Sequence, residues 1–286
     1  MGIFLEYAVN GLQAGLLLFI VSAGLTLSFG LMRVINMAHG SFYMVGAFAG
    51  LQVAMLTGSF IAGLAVAGLA AAAIGLAVER TLFARLYARG AFAQVLVSFG
   101  LIFVFDELVR MIWGGDIRSL PRPEALSSAY DFFGARVEGY RLFLIAFGGI
   151  LSAGLLWLLN KTPFGVTVRA AVDDRESAEL LGVSAKTLFS AVFLIGSALA
   201  GMAGYVAIPL VNAFPGMGDE VLITALIVVV MGGLGSVMGS LLASLAIGFS
   251  LTLGQVFLAG YAPAVVYLLL GIVLLVRPQG LMGRIE

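Results

Sequence analysis

The stretch 160–187, NKTPFGVTVRAAVDDRESAELLGVSAKT, holds Lys161, Arg169, Asp173, Asp174, Arg175, Glu176, Glu179 and Lys186, eight of the 30 charged residues in the chain. A charged side chain at the centre of a bilayer costs roughly 2.5–3.5 kcal/mol. This stretch therefore faces water or another protein. Thr162 followed by Pro163 reads as an N-cap and first helical position, a second helix starts at Asp173 or Asp174, and Gly182 stops it. Val183 is expected to fold back on Leu180 in a Schellman ending, and Ser184 to cap the next helix. The second helix has about eight residues and a length of about 12 Å, too short to hold alone in water. It presents Ala178, Leu180 and Leu181 beside Asp173, Arg175, Glu176 and Glu179, so it needs a surface, either a partner or the chain's own helix ends.

Outside this island the chain is mostly apolar. Hydrophobic residues make up 62% and charged residues only 10%, with a mean hydropathy of +1.12. Ordinary soluble domains carry about 25% charged residues, so the class is a polytopic membrane protein. The apolar runs are too long for barrel strands, which makes the spans helical. The 38 glycines suit close helix packing in lipid. Zero net charge argues against nucleic-acid binding, and the lack of cysteine removes disulfides, iron–sulfur clusters and thiol catalysis. The start, MGIFLEYAVNGLQ, has no positive n-region, so the first apolar stretch is expected to stay as a span.

Taken in order, the expected spans are 8–31, 34–57, 59–78, 94–113, 141–159 and 188–211, then a short segment 221–231, and finally 237–258 and 262–276. A polar loop, 114–140, separates the fourth and fifth. The tight connection at 31–33 leaves Arg33, Asn36 and His39 near or inside the membrane. Segment 221–231 rises only about 16 Å, half a bilayer, before Gly232-Gly233-Leu234-Gly235-Ser236. Such a break is tolerated where the open backbone is buried in protein or lines a watery cavity. With the N-terminus outside, the inner segments hold ten basic residues (Arg33, Arg80, Arg85, Arg89, Lys161, Arg169, Arg175, Lys186, Arg277, Arg284). The outer segments then hold five (Arg110, Arg118, Arg122, Arg136, Arg141). The positive-inside rule selects that orientation. The fold class expected is an all-α polytopic membrane protein of about eight or nine transmembrane helices, N-terminus outside and C-terminus cytoplasmic. It forms a single domain over 1–286. An internal echo links LTLSFGLMRVINMAHGSFYMVGA with LIVVVMGGLGSVMGSLLASLAIG, each an apolar helix, a glycine break and a second helix, as in transporters built from repeats.

Few residues offer chemistry. No nucleotide loop is present, because Gly182-Val183-Ser184-Ala185-Lys186-Thr187 lacks the glycine before lysine. No catalytic, cofactor or metal set is expected. His39 is the one histidine, and it does not face Ser41, since residues two apart on a helix diverge. Asn36, His39 and Ser41 either line a path at a broken-helix junction or cap the second span. Asp106 and Glu107 with Arg110 read as a proton relay or an ion-paired helix end. Gly216-Met217-Gly218-Asp219 with Tyr130-Asp131 spells the signature pair of intramembrane aspartyl proteases. Asp131 falls in a polar loop, however, and Asp219 reads as the acidic first turn of a helix.

The segments GLTLSFGLMRVINMAHGSFYMVGA, RAAVDDRESAELLGVSAKTLFSAVFLIGSALAGMAG, VVVMGGLGSVMGS and LLVRPQGLMG together resemble the membrane permease subunits of bacterial branched-chain amino acid ABC importers, LivH type. The likeness covers essentially the whole chain. It implies that the island is a coupling loop docking into a cytoplasmic ATPase through Asp173, Arg175, Glu176, Ala178, Glu179 and Gly182. Importers share an E-A-A-x-x-x-G pattern there, and Glu176-Ser177-Ala178-Glu179-Leu180-Leu181-Gly182 departs from it in Ser177. The resemblance further implies a second permease subunit in a heterodimer, two ATPase subunits that bind the ATP, a periplasmic amino-acid-binding protein on loop 114–140, and a location in the bacterial inner membrane. The path would be lined by Asn36, His39, Ser41, Gly232, Gly233, Gly235 and Ser236 and work by alternating access. A related permease for urea or short amides is an alternative. So is an ion-coupled secondary transporter titrating Asp106, Glu107 and His39.

Overall fold

The computed structural model describes residues 2–32, 36–132, 134–258 and 261–283, without the side chains of Met32, Ala88 and Arg175. Arg33 and Arg284, counted above for orientation, lie outside these residues. The helices are α1 (Gly2–Met32), α2 (His39–Thr57), α3 (Phe60–Val78), α4 (Ala91–Trp113), α5 (Gly139–Lys161), α6 (Pro163–Asp173), α7 (Arg175–Leu180), α8 (Ala185–Val211), α9 (Met217–Gly232), α10 (Val237–Phe257) and α11 (Ala262–Val276). Six helical stretches among the described residues are long and apolar enough to cross a membrane: α1, α2, α3 with its extension to Leu86, α5, α8 and α10. The polytopic helical class follows.

Three expectations change. The chain is not purely helical, because Ala129–Phe132 (β1) and Ala135–Glu138 (β2) pair antiparallel in the 114–140 loop. Ala135 and Val137 are buried while Arg136 is exposed, the alternation that a pleated strand imposes. The second span begins at His39 rather than at 34. The third runs on past Val78 through a wide turn, Glu79–Phe83, to Leu86; local propensity gives no sign of such an extra residue in a turn.

Two sets of helices repeat one packing scheme. Helix α1 lies along α10 as α3 lies along α8, and α2 packs on α3 and α8 as α9 packs on α10 and α1. The scheme equates α1, α2 and α3 with α8, α9 and α10. The first set starts at the end of the molecule that carries the β-hairpin, where Glu6 Oε1 accepts the Arg136 amide at 2.9 Å. The second starts at the opposite end, directly after the island, so the sets run in opposite senses. The sequence echo matched α1–α2 with α9–α10 instead, because glycine breaks look alike whichever side of a helix they fall on. Where α1 crosses α8, a Cβ on Gly24 would lie 2.6 Å from Gly196 Cα; only glycine allows that approach, and dispersion over the close contact replaces the hydrophobic drive that lipid cannot supply.

Candidate functional site

Two places in the fold carry the residues singled out by sequence. In the island, Thr162 Oγ1 accepts the Gly165 amide at 3.4 Å and opens α6 with Pro163 in its first turn. The Arg169 guanidinium donates back to the Leu159 carbonyl. Asp174 is the cap of α7: its Oδ1 accepts the Ser177 amide at 3.1 Å and its Oδ2 the Ser177 hydroxyl at 2.5 Å. These hydrogen bonds hold the Asp174 carboxyl below the usual carboxylate range. Gly182 takes φ +90°. Its amide donates to Glu179 O at 3.0 Å, and the Val183 amide to Ala178 O at 3.0 Å, both bonds of the Schellman motif. Ser184 Oγ then accepts the Thr187 amide at 3.4 Å to start α8.

Leu180, the residue expected to receive Val183, is instead held largely into solvent. In this motif the residue after the glycine meets the third-last position of the helix, which is Ala178 here. Ala178 is buried, whereas Leu180 is 84% and Leu181 86% exposed. Glu176 and Glu179 are exposed as well. The helix is six residues long rather than about eight, closed at both ends by its own neighbours, with two leucines held into solvent. For Arg175 only the backbone is described.

The second place is the start of α2. Asn36 is buried; its Oδ1 accepts the Ala38 amide at 3.1 Å and its carbonyl the His39 amide at 3.2 Å. Ser98 Oγ on α4 accepts the Met37 amide at 3.1 Å. His39 Nε2 donates to Val21 O on α1 at 2.9 Å. Val21 precedes the end of α1 at Met32 by about 16 Å of helix, so α2 begins near half the depth of a bilayer. There it meets the start of α9: a Cβ on Gly218 would lie 2.6 Å from the Gly40 carbonyl carbon, and the Gly216 amide donates to Met44 Sδ at 3.3 Å. Ser41 is buried and its hydroxyl has no partner among the described residues. Two broken helices thus meet start to start in the interior.

Gly232, Gly233, Gly235 and Ser236 are elsewhere. Gly235 packs on Gly30, where a Cβ would fall 2.9 Å from its Cα, and Ser236 Oγ accepts the Gly239 amide at 3.1 Å to cap α10. The C-terminal segment closes over this turn, with the Leu281 amide donating to Met231 O at 2.8 Å and the Met282 amide to Gly232 O at 3.0 Å. The structure therefore places this group near the end of α1 and the 36–41 group near its middle. Asp131 lies exposed on β1, while Asp219, in the first turn of α9, has Asp106 as its electrostatic neighbour. At the hairpin end Glu138 bonds Arg122 at 3.0 Å and Arg141 at 3.2 Å. Burial raises its pKa, but these two guanidiniums outweigh it and hold the carboxyl below its usual range.

Sequence reasoning missed Glu79. It stands in a basic segment, ERTLFARLYARGAFA, and is fully buried; its partners, Tyr87 and Ser190, are eight and 111 residues away, beyond any local pattern.

Residues 7–277 match the family described as the permease component of the branched-chain amino acid transport system. The chain is 27% identical to the high-affinity branched-chain amino acid transport system permease protein BraD of Pseudomonas aeruginosa, over 99% of this chain and 97% of that one. It is 26% identical to the permease protein LivH of Escherichia coli, over 99% and 96%. Among solved structures it is similar to PsaBC from Streptococcus pneumoniae in complex with Fab, with a TM-score of 0.50 and 12% identity over 93% of this chain and 89% of that one, a likeness of fold alone.

Proposed function

The chain belongs to the family of permease components of the branched-chain amino acid transport system, and from that membership we propose that it moves aliphatic amino acids through a bacterial inner membrane by alternating access. It is a transport permease of the ABC importer class. Partner ATPases supply the energy and an external binding protein delivers the cargo. In this reading the hairpin end faces outward and the island faces the cytoplasm. Helices α4, α9 and α11 complete the spans, and a second, different permease subunit pairs with this one. The 114–140 loop with its hairpin receives the binding protein. Helix α4 supports the pairing: Glu107 stands on an exposed apolar face with Phe103, Val104, Leu108 and Met111, and a carboxylate on a span faces protein or water rather than lipid. Asn36, His39 and Ser41 belong to the path at the half-depth junction, and Gly232, Gly233, Gly235 and Ser236 to its cytoplasmic hinge.

The observation that carries the coupling role is the pair of solvent-held leucines on α7. A six-residue helix gains nothing by itself from exposing Leu180 and Leu181, while burying one leucine in a partner's cleft contributes about 1.5–3 kcal/mol. Asp173, Glu176 and Glu179 are exposed beside that apolar tip, Arg175 is the first residue of the helix, Ala178 anchors it, and Gly182 ends it. Replacing Leu180 and Leu181 together by Glu is expected to leave insertion and melting of the permease unchanged and to abolish co-purification of the ATPase subunits. ATPase retained at the wild-type ratio would sink the proposal.

A further inference from the structure

Glu79 is the one fully buried carboxylate among the described residues. It stands where α3 widens into the turn Glu79–Phe83, the extra residue of which carries Phe83 and Leu86 inward while Arg80 and Arg85 stay exposed. Tyr87 donates its hydroxyl to one carboxylate oxygen at 3.0 Å, and Ser190 of α8 donates to the other at 2.6 Å. No cation pairs with it among the described residues. A carboxylate accepts and does not donate, so two hydroxyl donors fit its two oxygens. Rings close over the bonds: Tyr87 meets Phe189 at 5.1 Å and Phe83 meets Phe193 at 5.3 Å.

The position of Ser190 gives these bonds a consequence. Helix α7 ends at Leu180, Gly182 and Ser184 turn the chain, and Ser190 follows within the first two turns of α8. Farther along, α3 and α8 meet through small residues, with Gly75 against Ser197 and Gly201 against Ala67. These small residues offer no directional bond to each other. At the far end of the interface the Tyr205 hydroxyl donates to the Phe60 carbonyl at 3.0 Å, and at the end nearest α7 the hydrogen bonds to the Glu79 carboxylate, directional and strong, set the register of the two helices. We propose that Glu79 is a positioning residue of the transport cycle: through Ser190 and Tyr87 it fixes the start of α8 to the end of α3, so that displacement of α7 moves both helices as one body. This rests on the coupling role assigned to α7.

The test uses the full complex, with its second permease, ATPases and binding protein, in proteoliposomes, reading leucine taken up per ATP hydrolysed. Glu79→Gln and Ser190→Ala are expected to leave ATPase subunits bound and ATP hydrolysis near the wild-type rate, and to lower the uptake ratio roughly five-fold, within the range of coupling mutations. Ser190→Thr keeps the hydroxyl and restores the ratio. An unchanged ratio in Ser190→Ala, or a Ser190→Thr protein as defective as Ser190→Ala, overturns the proposal. If Glu79→Gln fails to assemble, the two Ser190 variants decide alone. ATPase that stays bound after the two leucines of α7 become Glu refutes the coupling role instead, a different outcome from an altered ratio.

Discussion

The island at 160–187 and the meeting point of α2 with α9 both interrupt a run of apolar helices, yet they differ in how far away the partners of their open backbones lie. In the island every helix start is capped from three residues away: Thr162 to Gly165, Asp174 to Ser177, Ser184 to Thr187. At the meeting point Asn36 also caps the Ala38 and His39 amides locally, but further partners come from other helices. Met37 relies on Ser98, His39 on Val21, and Gly40 on the absence of a side chain at Gly218. The physical reason is solvent. An island in water needs only local caps to hold its shape, whereas backbone exposed at membrane depth must be buried in protein. One region is held by its own neighbours, the other by the helices around it.

If that contrast is right, substitution at the meeting point disturbs the whole molecule. Gly218→Val places a Cβ against the Gly40 backbone, which cannot yield as a flexible side chain would. Overpacking of this kind costs about 1–3 kcal/mol or more. The detergent-solubilised permease is expected to melt roughly 5 °C lower, read by tryptophan fluorescence. An unchanged melting point would mean that the half-helices do not touch.

A change in the island should stay local. Gly182 has open space where a Cβ would go and takes φ +90°, so Gly182→Val meets no clash and bears only the strain of a left-handed conformation, about 1–2 kcal/mol. ATPase binding is expected to weaken roughly ten-fold by titration, with the melting temperature unmoved. A lowered melting temperature would show that the island is part of the core after all.

The carboxyl of Asp174 titrates below its ordinary value of 3.8 because Ser177 hydrogen-bonds the charged form. A group lowered in this way contributes stability that is complete above the ordinary value and is lost as pH falls through the lowered one. Hydrogen exchange at the Ser177 amide is expected to follow that curve, and Asp174→Asn to remove its acid limb. A flat profile in the unmodified protein would deny that the carboxylate caps α7.

Thr162, Asp174, Gly182 and Ser184 reveal their roles because each acts within a few residues. The partner expected for Val183 is off by two residues, caused by taking a leucine of the helix's end rather than Ala178 for the motif's partner. The β-hairpin is hidden in a polar loop because β1 is exposed along its whole length and shows no alternation. Glu79 is invisible for the opposite reason: its second hydroxyl lies on a helix 111 residues later. Asn36, His39 and Ser41 announce a break in a helix, but nothing near them says that α9 starts against it.

Sequence alone determined that this chain lives in a membrane, that Thr162 and Ser184 cap helices of its charged island and Gly182 stops one, and which family of permeases it resembles. Those properties rest on composition and on bonds that close within one helical turn. Only the tertiary structure decided that α2 and α9 start at half depth against each other, that two sets of helices repeat in opposite senses, and that a buried carboxylate ties α3 to α8. Each of these depends on glycine clearances and hydroxyl positions between distant segments, which exist only once the helices are packed.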